Sequence, residues 1–95
     1  MVFKMTVEIS NSSLKFLNKI EVKTKEKIIG KIQTLYDSIN DYGVIPYKTL
    51  DIKSLKRKWY PHKRLRLGNY RIIFLYDLIN DKLIIQDIDT RGDIY

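Results

Sequence analysis

The chain opens on an alternation. Phe3, Met5, Val7 and Ile9 are apolar, and Lys4, Thr6 and Glu8 between them are polar, the period-two pattern of a strand with one buried face. Ser10, Asn11, Ser12 and Ser13 follow. Short polar side chains of this kind accept hydrogen bonds from the free amides that begin a helix. Leu14, Leu17 and Ile20 then recur at three-residue spacing and predict a short amphipathic helix. From about Lys23 to Asn40, Ile28, Ile32, Leu35, Tyr36 and Ile39 fall on one face of a 3.6-residue period. Glu21, Lys25, Glu26 and Lys31 supply the wet side of this second helix. Gly30 costs about 1 kcal/mol against alanine in mid-helix and so suggests close packing there. Asp41-Tyr42-Gly43 and Pro46 end the helix.

Residues 44–61 show no period and read as a basic loop feeding a strand, with Pro61 biasing Tyr60 toward an extended shape. His62–Leu67 alternates, with Arg64 and Arg66 on one face and Leu65 and Leu67 on the other. Gly68-Asn69 is a two-residue hairpin signal in which glycine supplies the positive φ. Tyr70–Tyr76 is apolar on both faces and predicts a central strand. Asp77–Asp81 turns the chain, Lys82–Ile88 forms another strand, and 89–95 is a tail. The order β-α-α-β-β-β predicts an α+β fold. Two helices pack on one face of a mostly antiparallel four-stranded sheet, as a single domain spanning 1–95.

Charge adds a functional direction. The formal net charge is +7, and residues 48–71 hold nine of the 18 Lys and Arg with one acid, Asp51. So concentrated a basic region suits a polyanion or an acidic protein. Cysteine is absent, which removes disulfide frameworks and cysteine metal sites and fits a reducing compartment. No apolar run has the length of a signal peptide or of a membrane span, so a cytoplasmic protein with no membrane partner is expected.

Familiar catalytic motifs are missing: no glycine-rich phosphate loop, no HExxH and no GxSxG. His62 is the lone imidazole and sits at a strand start, where a surface role outweighs a catalytic one. Asp87, Asp89 and Asp93 favour structural capping over metal binding. No metal or cofactor is expected. The basic constellation is stronger. Arg64 and Arg66 share a strand face, and the Gly68-Asn69 turn brings Arg71 alongside. On an apolar strand Arg71 either pairs with Asp87 or Asp89 or aims at a phosphate, and both readings stand.

The run Arg64-Leu65-Arg66-Leu67-Gly68-Asn69-Tyr70-Arg71-Ile72-Ile73-Phe74, with Lys82-Leu83-Ile84-Ile85 and Arg91-Gly92-Asp93-Ile94-Tyr95, resembles the RelE/ParE toxin superfamily. The segment from Leu50 to Trp59 resembles the family's basic stretch before the hairpin, and the resemblance covers nearly the whole chain. It implies a RelE-like fold and a toxin of a type II toxin–antitoxin system, neutralised by a RelB-like antitoxin. For the RelE branch it implies a metal-independent endoribonuclease that cuts mRNA on the ribosome. There the substrate 2′-OH attacks the adjacent phosphate and leaves a 2′,3′-cyclic phosphate. The alternatives are a ParE-like gyrase poison and a non-catalytic RNA-binding module. By the resemblance, Arg71, Arg91 and Tyr95 are catalytic, and Arg64, Arg66, Lys56, Lys58 and Lys63 bind RNA phosphate. Arg64 and Arg66 stand where the bacterial prototype carries lysine. Arginine does not give up its proton near neutral pH, so the general base falls to Tyr95, Lys63 or a desolvated lysine within 53–58.

Overall fold

The computed structural model of the protein describes residues 5–90. Strand β1 (Thr6–Ile9) leads into helices α1 (Asn11–Lys19) and α2 (Val22–Tyr42), and strands β2 (Asp51–Ser54), β3 (Lys63–Leu67), β4 (Tyr70–Asp77) and β5 (Lys82–Asp89) follow. They form one five-stranded sheet in the order β1-β5-β4-β3-β2. Only the β1–β5 pair is parallel. The expected α+β architecture is present, with five strands in place of four.

The added strand is β2, inside the stretch read from sequence as a loop. Ile52 is its one buried residue. One apolar residue makes no period, so the strand exists only because β3 offers it an antiparallel ladder, Asp51↔Arg66 to Ser54↔Lys63.

Ser10 starts α1 as expected: its Oγ accepts the Ser13 amide at 3.2 Å and donates to the Gln86 carbonyl at 2.8 Å. That tie to β5 sets the rotation of the helix. Ser13, Phe16, Leu17 and Ile20 face the sheet, and Leu14, expected inside, is 44% exposed. Phe16 meets the Tyr70 ring edge-on at 6.1 Å. Helix α2 buries Ile28, Ile32, Leu35 and Ile39, and the Tyr36 hydroxyl donates to the Met5 carbonyl at 2.7 Å. Gly43 caps α2 at φ +65°, its amide bonded to the Ile39 carbonyl. A left-handed residue there is what glycine is suited to.

Ladder register sorts the sheet into two faces. Ile52, Leu65, Ile72 and Ile88 lie opposite one another across β2, β3, β4 and β5, and Phe74 pairs with Ile85. All of them join the helix residues in one core. The other face carries the charge. Two-residue closure at Gly68-Asn69, with Gly68 at φ +58°, sets the β3–β4 register.

Gly30 corrects an expectation. It is exposed, and a Cβ there would meet nothing within 4 Å. No close packing calls for glycine. Gly30→Ala is therefore expected to stabilise the fold by about 0.5–1 kcal/mol through backbone entropy, read as a rise of a few degrees in Tm by calorimetry.

Candidate functional site

Opposite the helices, the ladder aligns two rows of side chains. Asp51, Arg66, Arg71 and Asp89 form one, and Lys53, Arg64, Ile73 and Asp87 the other. Residues directly across a ladder share a face. Arg66 and Arg71 are therefore set side by side on β3 and β4, an unfavourable arrangement for two like charges. Asp51 offsets part of that repulsion. Its Oδ2 lies 3.4 Å from Arg66 Nε and its Oδ1 3.2 Å from Arg64 Nη2.

For Arg71 the sequence leaves two readings, an internal ion pair or a free cation. Asp89 lies across from it in the ladder. Yet among the described residues no carboxylate comes within ion-pair distance of the Arg71 guanidinium. The half-buried Arg71 thus presents its charge to a cleft of about 390 Å³, lined by Lys53, Ser54, Leu55, Lys56, Arg57, Arg64 and Arg71.

Arg64 is largely covered, its side chain 11% accessible. Its Nε is buried and has no hydrogen-bond partner among the described residues. An orphaned donor of this kind costs about 1–3 kcal/mol. Ile73, fully buried, and Leu55 form apolar ground on this face, outside the core under the helices. Apolar neighbours lower the local dielectric and strengthen whatever anion the arginines hold.

The other expected site residues are placed unevenly. Lys56 lines the cleft. Arg66 lies on the same face, more exposed and engaged by Asp51. Lys58 leans over the Trp59 ring, 5.7 Å from its centre, and does not line the cleft. Lys63 pairs with Phe74 and so projects from the helix side of the sheet. There its Nζ lies 3.1 Å from Ser54 Oγ and 5.5 Å from the centre of the Tyr47 ring. Hydrogen bonding with Lys63 lowers the Tyr47 phenol from its ordinary pKa, with burial acting the other way. Lys63 is one residue out of phase with Arg64, so the strand period already carried the signal that separates them.

A desolvated lysine within 53–58 is not found: Lys53, Lys56 and Lys58 are all exposed. Short β2 and the turn after it run along the sheet edge, where nothing covers a long side chain. His62 Nδ1 sits 3.1 Å from the Trp59 carbonyl, away from the cleft lining. Arg91 and Tyr95 lie outside the described residues. Arg57 also lines the cleft, a placement with no sign in the sequence, which does not show which way its backbone turns.

No family model and no curated protein matches the sequence. Solved structures are similar. A chain of the archaeal RelE–RelB complex from Pyrococcus horikoshii OT3 matches with a TM-score of 0.74 at 20% identity, over 96% of this chain and 99% of that one. The RelB–RelE antitoxin–toxin complex from Methanococcus jannaschii matches with a TM-score of 0.65 at 23% identity, over 93% and 94%. The intact RelBE toxin–antitoxin complex of E. coli matches with a TM-score of 0.67 at 11% identity, over 93% and 98%. At these identities the likeness establishes the fold.

Proposed function

We propose that this chain, which has the RelE-like fold, is the toxin of a type II toxin–antitoxin pair and cleaves mRNA held on the ribosome. The observation that carries the reading is the cleft in which Arg64 and Arg71 converge, one with an orphaned buried donor and the other without a carboxylate partner among the described residues. Such a cleft fits a phosphodiester.

In the proposed reaction the ribose 2′-OH attacks the neighbouring phosphorus in line, the bond to the 5′-oxygen breaks, and the products are a 2′,3′-cyclic phosphate and a 5′-OH. Negative charge grows on the phosphoryl oxygens as the phosphorane forms. Arg71 and Arg64 stabilise it with hydrogen bonds stronger than those they make to the ground state. Arg64 is held through Nη2 by Asp51, which leaves its other terminal N–H groups for such bonds. Arg66 and Lys56 hold flanking phosphates. Arg91 and Tyr95 take the roles that the family resemblance gives them, a further cation at the phosphate and a hydroxyl at the reacting oxygens.

No imidazole or carboxylate lines the described cleft, so positioning and charge stabilisation supply most of the rate. That assigns the placing of the substrate to the ribosome. A free RNA strand is floppy, and bringing its 2′-OH in line costs conformational entropy that an ordered decoding site removes. Lys58 and Lys63, which lie outside the cleft, then serve contacts to ribosomal RNA rather than to the cut phosphate. The exposed basic face also suits an acidic, RelB-like antitoxin. The structures from P. horikoshii, M. jannaschii and E. coli hold RelE with RelB.

The test is cleavage of a defined mRNA on programmed ribosomes against the same RNA free in solution. Cuts on the ribosome only, ending in a cyclic phosphate, are expected. Efficient cutting of naked RNA, or none with ribosomes present, rejects the reading. Accumulated gyrase–DNA cleavage complexes would instead identify a gyrase poison.

A further inference from the structure

Arg57 adopts φ +58° and Asp81 φ +52°, the two non-glycine residues with positive φ among those described. Asp81 lies at the β4–β5 turn, and a short polar side chain tolerates the left-handed region well. Arginine meets the same crowding of Cβ against the following carbonyl and has no short polar side chain to offset it with a local hydrogen bond. The local fold needs the backbone shape, not the side chain. Arg57 opens the single 3₁₀ turn Arg57–Trp59, where the Tyr60 amide bonds to the Arg57 carbonyl at 3.0 Å and the Trp59 amide to the Lys56 carbonyl at 3.2 Å. Glycine would make the same backbone bonds without the steric cost.

Nothing local repays that cost. The Arg57 side chain is exposed and has no ion-pair or hydrogen-bond partner among the described residues. It does line the cleft with Arg64 and Arg71. Strain kept at a functional cleft, with no packing or pairing to account for it, marks a side chain retained for a ligand.

We propose that Arg57 is a substrate-positioning residue that grips a backbone phosphate of the single-stranded RNA entering the cleft, next to the phosphate held by Arg64 and Arg71. The inference rests on the RNA-cleaving reading for its ligand and adds a contact at a position where folding alone favours glycine. Arg57 binds a phosphate that does not react. Its loss therefore weakens strand binding and leaves the chemical step of bound substrate close to its normal rate.

The experiment measures binding of a short 2′-O-methyl oligoribonucleotide, which cannot be cut, to the full chain over a range of salt, together with Tm. For Arg57→Gly, affinity is expected to fall by about 5- to 10-fold and the salt slope to lose about 0.7, the share of one phosphate contact on a single strand. Tm stays level or rises by up to about 5 °C, since relief of the left-handed strain opposes glycine's extra chain entropy. Arg57→Asn keeps a residue tolerant of that backbone but removes the charge, and should lose affinity as glycine does. Arg57→Lys should retain the slope. Unchanged affinity and slope in Arg57→Gly overturns the proposal. So does full affinity in Arg57→Asn, which would trace the glycine effect to a loosened turn, and so does failure of the wild type to bind the oligonucleotide. Wild-type binding that depends on Arg57, without any cleavage on ribosomes, keeps this inference and rejects the nuclease. Ribosomal cleavage with Arg57 variants that bind normally does the reverse. Affinity lost only for ribosomes lacking mRNA assigns the contact to ribosomal RNA and overturns the proposal as stated.

Discussion

Replacing Arg71 with alanine is expected to slow single-turnover cleavage on programmed ribosomes by about 10²-fold, the usual effect of losing one preorganised electrostatic stabiliser. Melting temperature should hold or rise slightly. Arg71 faces Arg66 directly across the β3–β4 ladder and has no carboxylate within ion-pair distance among the described residues. Its removal takes away a repulsion and leaves no buried partner stranded. Arg71→Lys keeps the charge but loses the planar fork that can bridge two phosphoryl oxygens, and should recover only part of the rate. A fall in Tm that tracks the fall in rate would instead make Arg71 a structural residue. A wild-type rate for Arg71→Ala would remove the cleft from the chemistry.

Phe74→Ala acts on the fold. Phe74 is fully buried on β4, across from Lys63 on one side and Ile85 on the other, under the α2 residues of the same core. Truncating a buried phenylalanine costs about 3–5 kcal/mol, through lost transfer energy and the cavity left behind. Domains of this size hold only about 5–15 kcal/mol in total. The midpoint of urea unfolding should therefore drop steeply, and activity should be lost with the folded fraction. Ribosome-stimulated cleavage per folded molecule should stay near wild type, because the ring lies on the helix side of the sheet and the cleft on the other. A loss below about 1 kcal/mol would mean that the core closes over the gap, which close-packed interiors rarely allow.

Local patterns carried most of the scaffold. The spacing of Ile28, Ile32, Leu35 and Ile39 named the buried face of α2 because a helix repeats every 3.6 residues whatever it packs against. Alternation put Arg64 and Arg66 on one face, and the two-residue turn at Gly68-Asn69 fixed Arg71 beside Arg66, since so short a closure allows little choice of register. The same period places Lys63 on the far side from Arg64. Long-range contacts decided the rest. Asp51–Ser54 became a strand only when β3 supplied its hydrogen bonds, and that pairing brought Asp51 to Arg64 and Arg66 and Lys53 into the cleft. Leu14 was left outside because the tie from Ser10 to the Gln86 carbonyl set the rotation of α1. The parallel β1–β5 pair joins residues more than seventy positions apart, and no local pattern encodes a partner at that distance. The buried, unpartnered Nε of Arg64 and the left-handed backbone of Arg57 are tertiary in origin as well. Each depends on what the assembled chain places around the residue, and composition and period hold no record of it.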